Sequence, residues 1–257
     1  MSGKEILLFL SQLYEGDVEK VLSHIKAKKD IDCVKAEDCI NKVKASYFTL
    51  LDEIYPEGWK QLFLPPILCY YEGDIALLKD LDRSVTYVGS RDASKEGLSA
   101  AYEFGKKLAK DGVIIVSGLA RGIDSEVMRG AMEGKGKIIG ISGAGIDIDY
   151  PTSSKEIYEY TRSHGLLLSE YPEGVSPSPN NFPLRNRLLA ATGKVTIVGE
   201  AELRSGSLIT ANHAINLGKD VGCLPSLARK GSGTNALIKD GAYLIDEAED
   251  ILSLLNN

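Results

Sequence analysis

The chain has 257 residues, of which 44% are hydrophobic and 26% charged, an ordinary globular composition with ample material for a sizeable core. No apolar run approaches the roughly 18 residues that span a membrane, and the N-terminus lacks the cleavage site of a secretory signal. The net charge of −6 argues mildly against a nucleic-acid partner unless the basic groups converge on one surface.

The N-terminal quarter of the chain has the apolar spacing of helices. In EILLFLSQLY, VEKVLSHIKAK and EDCINKVKAS, up to about residue 55, apolar residues recur every three or four positions. Prolines and glycines then interrupt the chain between residues 56 and 66. The sequence therefore predicts a small all-helical domain over residues 1–63 and a second domain over residues 64–257.

After Pro66, short apolar runs alternate with helical patterns. The runs are ILCYYEG, SVTYVG, VIIVSG, KIIGISG, LLLSE, KVTIVGE and DVGCLP, and DEAEDILSLL closes the chain as a helix. Buried strands that alternate with amphipathic helices form a mostly parallel sheet covered on both faces. With right-handed crossovers, the fold class is α/β, an extended Rossmann-like doubly wound sheet.

Glycines, serines and arginines follow several of these strands. Ligands of an open α/β sheet bind beyond the carboxyl ends of its strands, where Gly89-Ser90-Arg91 and the turn Ser117–Gly122 are expected to meet. Helix N-termini attract anions, and Arg91 and Arg121 stand beside two of them. Small residues around Arg121 would leave room for a phosphate, so the turns predict an anion site.

A second segment, Asn180 to Ala191, combines an aromatic side chain with two arginines. Phe182 is expected in a loop just before a helix that carries Arg185, Asn186 and Arg187. Bases stack on aromatic rings while phosphates take arginine and asparagine, which is typical of sites for single-stranded nucleic acid. The alternative is a hydrophobic staple formed by Phe182, with the arginines as helix-surface charges.

Motifs of catalysis and cofactor binding are missing from the sequence. It contains no G-x-G-x-x-G dinucleotide fingerprint, no P-loop and no G-x-S-x-G elbow. Its three histidines have no evident partners, and its four cysteines are spaced neither as zinc ligands nor as a redox pair. We therefore expect no catalytic residue, no metal and no cofactor, and free thiols in a reducing cytoplasm.

Five segments, in this order, resemble the DNA-processing protein A (DprA/Smf) family: Tyr87–Arg91, Ser117–Asp124, Phe182–Arg187, Ser205–Ala211 and Gly233–Ile238. The resemblance covers roughly residues 60 to 252; the N-terminal helices are similar only in type, as a SAM-like or helix-hairpin-helix-like domain. It implies a non-catalytic, cytoplasmic protein that binds incoming single-stranded DNA during natural transformation, protects it and loads the recombinase RecA. It also implies a homodimer formed through the Rossmann-like domain.

The resemblance further implies which residues bind DNA. They are Ser90, Arg91, Ser117, Gly118, Ala120, Arg121, Gly122, Asp124, Phe182, Arg185, Asn186, Arg187, Ser205 and Ser207. Of these, Asp124 is expected to orient Arg121 or to cap its helix rather than to touch DNA.

The sequence departs from the family pattern in three places. Ser226 follows Pro225 where glycine is common, Leu184 stands where a second basic residue is frequent, and no room remains for the C-terminal winged-helix-like domain of many members. The alternative reading is an enzyme, a Rossmann-like nucleotide phosphoribohydrolase of the "lonely guy" type, which also carries Gly-Ser-Arg. Its glycine run and acid are lacking in Gly231–Thr234, the nearest match. A nucleotide-sensing module would leave Phe182 to Arg187 without a role.

Overall fold

The N-terminal segment forms three helices in the computed structural model, which describes residues 1–227 and 231–256. They are α1 (Gly3–Leu13), α2 (Val18–Lys26) and α3 (Cys33–Ile40). Ser2 and Glu5 form a capping box at the start of α1, and Asp17 and Asp32 cap the next two helices. The three helices pack around a small core that includes Phe9, Leu10 and Ile67.

A strand, β1 (Ser46–Thr49), lies within the stretch for which the sequence predicts helix. Aromatic and β-branched residues fit a half-buried pleated surface, and β1 gains a partner strand that no local pattern can show. It is followed by a short helix, α4 (Glu57–Lys60), whose Trp59 is fully buried with its ring 5.8 Å from that of Phe48. The division into domains at residues 63 and 64 stays a prediction.

One sheet of nine strands organises the chain. Its strands are β1, β2 (Leu68–Gly73), β3 (Ser84–Val88), β4 (Ile114–Ser117), β5 (Ile138–Ser142), β6 (Leu166–Ser169), β7 (Val195–Val198), β8 (Val221–Cys223) and β9 (Tyr243–Leu244). Their order is β1-β2-β6-β5-β4-β3-β7-β8-β9. Only β2 runs antiparallel to its neighbours, β1 and β6, so the predicted mostly parallel sheet is confirmed.

Helices and loops cover both faces of the sheet. They are α5 (Lys95–Lys110), α6 (Ile123–Glu133), α7 (Lys155–His164), α8 (Asn181–Thr192), α9 (Gly206–Asn216), α10 (Gly233–Lys239) and α11 (Ala248–Leu255). Successive strand residues alternate between two cores, so that Tyr87 and Ile115 belong to one and Val88 and Val116 to the other. Within the described residues, no helix is long and apolar enough to cross a membrane.

The chain order reverses at β3, which lies between β4 and β7. The loops after these three strands therefore open a crevice at one edge of the sheet, the place where open α/β sheets bind their ligands.

Candidate nucleic-acid interface

The turns after β3 and β4 are in direct contact. The Ile123 amide donates a hydrogen bond to the Ser90 carbonyl over 3.1 Å. Gly122 has φ +81°, and a Cβ there would lie 2.3 Å from the Ser90 oxygen. Gly122 is thus required where two loops meet, and the space beside Gly122 itself is filled by protein backbone rather than left open for a phosphate.

The buried side chain of Asp124 connects the same two turns through hydrogen bonds. Its carboxylate is 5% exposed and accepts hydrogen bonds from the amides of Gly89 (3.3 Å) and Gly118 (3.0 Å). Burial raises the pKa of Asp124, while the nearby charge of Arg185 acts in the opposite direction. The expected partnership with Arg121 does not form, because Arg121 pairs with Asp92 at 3.0 Å. Nor does Asp124 cap α6, whose N-cap is Gly122.

Arg185 lies on the floor of the crevice. It is 3% exposed, and its guanidinium donates to the carbonyls of Gly118 (2.8 Å) and Ile141. A Cβ on Gly118 would lie 2.7 Å from the Arg185 Nη2 atom, so Gly118 makes room for this arginine rather than for a phosphate. Burial lowers the pKa of Arg185, and the Asp124 carboxylate acts against that effect.

Arg187 faces away from the crevice. Its Nη1 and Nη2 atoms donate to the two carboxylate oxygens of Glu170 at 2.7 and 2.6 Å, and its Nε donates to the Leu64 carbonyl. Both members of this ion pair are at most 5% exposed. Residues two apart on a helix do not share a face, so the pairing of Arg185 with Arg187 on one DNA surface does not occur. Arg187 fixes α8 within the protein.

Phe182 sits in the first turn of α8 rather than in a loop. The Arg91 guanidinium carbon lies 5.4 Å from the centre of its ring, and the Tyr150 ring lies 5.7 Å away at an angle of 31°. Gly143 permits this arrangement, because a Cβ there would come within 2.8 Å of the Phe182 ring. The result is an aromatic and cationic ridge formed by Arg91, Tyr150 and Phe182.

Two adjoining pockets lie on either side of this ridge. The larger, of about 490 Å³, extends to Asn186 and to the start of α9 at Ser205, Gly206 and Ser207. The smaller, of about 260 Å³, adds Ala120 and Arg121 to the ridge residues. The larger pocket falls within the range of small-molecule sites, and together the pockets form a groove along the carboxyl edge of the sheet.

The far end of the larger pocket is lined with hydroxyl groups. Ser205 caps α9, and its hydroxyl lies 2.6 Å from that of Ser207. Asn186 donates to the Gly206 carbonyl over 3.2 Å. The Thr210 hydroxyl is buried beside them without a hydrogen-bond partner. This end presents donors to a ligand at the start of a helix.

The structure thus divides the predicted site residues into two groups. Those that line the groove are Arg91, Ala120, Arg121, Phe182, Asn186, Ser205 and Ser207. Those that only hold the turns and α8 in place are Ser117, Gly122 and Arg187, while Gly118, Asp124 and Arg185 do both. Ser90 belongs to neither group. Its carbonyl accepts the hydrogen bond from Ile123 that joins the two turns, and it lines a separate crevice.

Tyr150 and Thr210 also line the groove and are not among the site residues predicted from the sequence. An exposed aromatic residue in the loop after β5 is a usable signal for Tyr150, because that loop also follows the carboxyl end of a strand. Thr210 lies inside a helix, and nothing in its sequence context distinguishes it. In the described part of the chain, no group of three or more His, Cys, Asp or Glu residues is placed to hold a metal ion.

Comparison with known proteins gives consistent matches. The family profile of DNA recombination-mediator protein A matches residues 46–256. DNA processing protein DprA of Streptococcus pneumoniae is 38% identical over 208 residues, which cover 80% of this chain and 73% of that protein. Its crystal structure superposes with a TM-score of 0.80 at 30% identity, covering 96% of this chain and 95% of that one. A structure of DNA processing protein A from Helicobacter pylori, described for its single-stranded DNA binding mode, matches with a TM-score of 0.74 at 32% identity, covering 82% and 96% of the two chains.

Proposed function

The chain belongs to the family of DNA recombination-mediator protein A, and from this premise we propose that it binds single-stranded DNA in the groove around Phe182 without catalysing a reaction. The ridge of Arg91, Tyr150 and Phe182 is the observation that carries the proposal. It offers a π-face to a base and a positive charge to the adjoining phosphate, the combination that sequence-tolerant binding of single strands requires.

The role of each groove residue in the proposed binding follows from its exposure and its position in the groove. The exposed Arg91 and Arg121 neutralise phosphates of the strand, and Phe182 with Tyr150 stacks against bases. Asn186 and the hydroxyl groups at the start of α9 bind the neighbouring nucleotide. The buried residues Asp124, Arg185 and Arg187 hold these groups in position.

The biological setting is part of the same proposal. The protein protects incoming single strands in the cytoplasm and delivers them to the recombinase RecA during natural transformation or another recombination step. It acts as a homodimer formed through the Rossmann-like domain, so that two grooves hold one strand or two. Sedimentation velocity tests the dimer, and RecA-dependent ATP hydrolysis on strands coated with single-strand-binding protein tests delivery.

Fluorescence anisotropy of labelled oligo-dT over a salt series tests the binding itself. Each phosphate neutralised lowers the logarithm of the binding constant by about 0.7 per logarithmic unit of salt. Duplex DNA of equal length is titrated in parallel. Absence of oligo-dT binding at low salt contradicts the proposal, whereas release of free base from nucleoside monophosphates would favour the phosphoribohydrolase alternative.

A further inference from the structure

The wall of the larger groove pocket contains a buried hydroxyl group that the protein leaves unpaired. Thr210, in α9, is 1% exposed, and its hydroxyl has no hydrogen-bond partner among the residues that the structure describes. An unpaired polar group destabilises a folded interior, so its presence in the wall of a pocket needs an explanation. Because Thr210 lines the pocket, a bound ligand can supply the missing partner.

The groups around Thr210 leave hydroxyl hydrogens free while their carbonyl oxygens are engaged. The Asn186 Oδ1 atom accepts a hydrogen bond of 3.3 Å from Arg185, and the Gly206 carbonyl accepts one of 3.2 Å from Asn186 Nδ2. The hydroxyls of Ser205 and Ser207 lie 2.6 Å apart, so one of their two hydrogens forms that bond and the other stays available. With Thr210, this end of the pocket therefore offers two hydroxyl hydrogens to an acceptor.

The remainder of the pocket fits the ring of an unstacked base. Its wall includes the apolar side chain of Val88 and two prolines of the loop before α8, Pro177 and Pro179. The buried charges that line it, Arg185 and Asp124, have opposite signs and offset each other. An uncharged ring with a polar edge therefore suits this pocket better than a phosphate does.

We propose that Thr210 is a specificity-determining residue of the groove, which favours a base that presents a carbonyl oxygen over one that presents an amino group. Thymine and guanine carry a carbonyl at the edge position where cytosine and adenine carry an amino group. The carbonyl oxygen accepts from the Thr210 hydroxyl, whereas the amino group is itself a donor and finds only hydroxyl lone pairs. This inference rests on the proposed function, because it names the bases that the same groove prefers.

Fluorescence anisotropy with oligo-dU and oligo-dC of equal length tests the preference. Uracil and cytosine have the same ring size and differ in the carbonyl or amino group at position 4, so the ratio of the two binding constants reports that edge. Thr210→Val replaces the hydroxyl by a methyl group of similar size, and Thr210→Ser keeps the hydroxyl. Thr196→Val is the matched control, since Thr196 in β7 is also buried with an unpaired hydroxyl but lines neither groove pocket.

The wild type is expected to bind oligo-dU more tightly than oligo-dC, and Thr210→Val to reduce this ratio at least about threefold, as for the loss of one neutral hydrogen bond. Thr196→Val and Thr210→Ser should keep the wild-type ratio. Circular dichroism checks that each variant is folded, and Thr210→Ala replaces Thr210→Val if the latter is not.

Equal affinity of the wild type for the two strands, or an unchanged ratio in the folded variant that lacks the hydroxyl, overturns this inference alone. An equal fall of the ratio in Thr196→Val overturns it as well. Absence of binding to both strands would instead remove the proposed function, and this inference with it.

Discussion

Phe182 contributes an aromatic face to the groove that no other residue of α8 provides. Replacing it with alanine removes a stacking surface, and we expect oligo-dT binding to weaken by about 1–3 kcal/mol, or about 5- to 150-fold. Anisotropy titration measures the change. Phe63, which is 97% exposed and lines neither pocket, supplies the matched control. A Phe63→Ala variant that loses as much affinity would show that the ridge is not where bases stack.

The Glu170–Arg187 pair is expected to stabilise the fold rather than to bind DNA. Glu170→Gln leaves the Arg187 charge buried and uncompensated, and should lower the free energy of unfolding by about 3–5 kcal/mol. Urea denaturation followed by circular dichroism measures this loss. Asp92→Asn makes the same chemical change in the exposed pair with Arg121 and should cost less than about 1 kcal/mol. Equal costs for the two variants would contradict the assignment.

Sequence patterns identify residue types at the carboxyl edge of the sheet but not the direction in which they point. Arg91, Arg121 and Phe182 line the groove because their positions after strands and at a helix start place them there, and their binding to DNA stays a prediction. Arg185 and Arg187 could be separated only by recognising that residues two apart diverge on a helix. That Gly118 makes room for an arginine from α8 is a long-range contact, which a single sequence does not reveal.

At the scale of elements, α8 is the helix that connects the groove to the rest of the fold. It begins with the ridge residue Phe182 and ends where Lys219 donates to the carbonyls of Ala191 and Gly193, both over 2.7 Å. Lys219→Met leaves these carbonyls without a charged donor. We expect a loss of about 1–3 kcal/mol in the free energy of unfolding near neutral pH, measured by urea denaturation.

The effect of Lys219 also depends on pH. Burial lowers the pKa of Lys219 to about 8, whereas the unfolded chain keeps the proton up to about pH 10.4. Between these values the unfolded state binds more protons than the native state, so stability that depends on Lys219 rises with pH. The difference between wild type and Lys219→Met should therefore widen from pH 7 to about pH 9.5. A constant difference would mean that the lysine titrates normally when folded.

Elements with strong local patterns are the ones that the sequence analysis located. The strands β2 to β8 and the helices that connect β3 to β8 combine continuous apolar runs with amphipathic segments and turn residues. The strand β1 and the two-residue β9 escaped prediction, because short strands owe their conformation to pairing with a neighbour rather than to their own periodicity.

At the scale of the whole molecule, the predicted domain boundary between residues 63 and 64 implies that residues 64–257 are stable without the preceding segment. Phe48, Tyr55 and Trp59 precede it, yet they are buried in the same core as strand residues such as Val116. A fragment of residues 64–257 would lose all three, so we expect it to be less stable to urea than a fragment of residues 46–257. Equal stability of the two fragments would support the predicted boundary.

The net charge of −6 makes the placement of each arginine decisive for binding a polyanion. Arg91 follows β3 and faces the groove, whereas Arg83 precedes β3 at the opposite edge of the sheet, where it donates to the Asp111 carbonyl. Alanine at either position removes one positive charge. The two variants therefore share a net charge and differ only in where the charge is lost.

Oligo-dT titration of Arg91→Ala and Arg83→Ala over a salt series is the most direct test of the proposed DNA groove. We expect Arg91→Ala to bind more weakly and to lose about 0.7 from the slope of log binding constant against log salt, the contribution of one phosphate contact on a single strand. Arg83→Ala should retain the wild-type slope. Equal slopes and affinities for the two variants would show that the strand does not bind in the groove around Phe182.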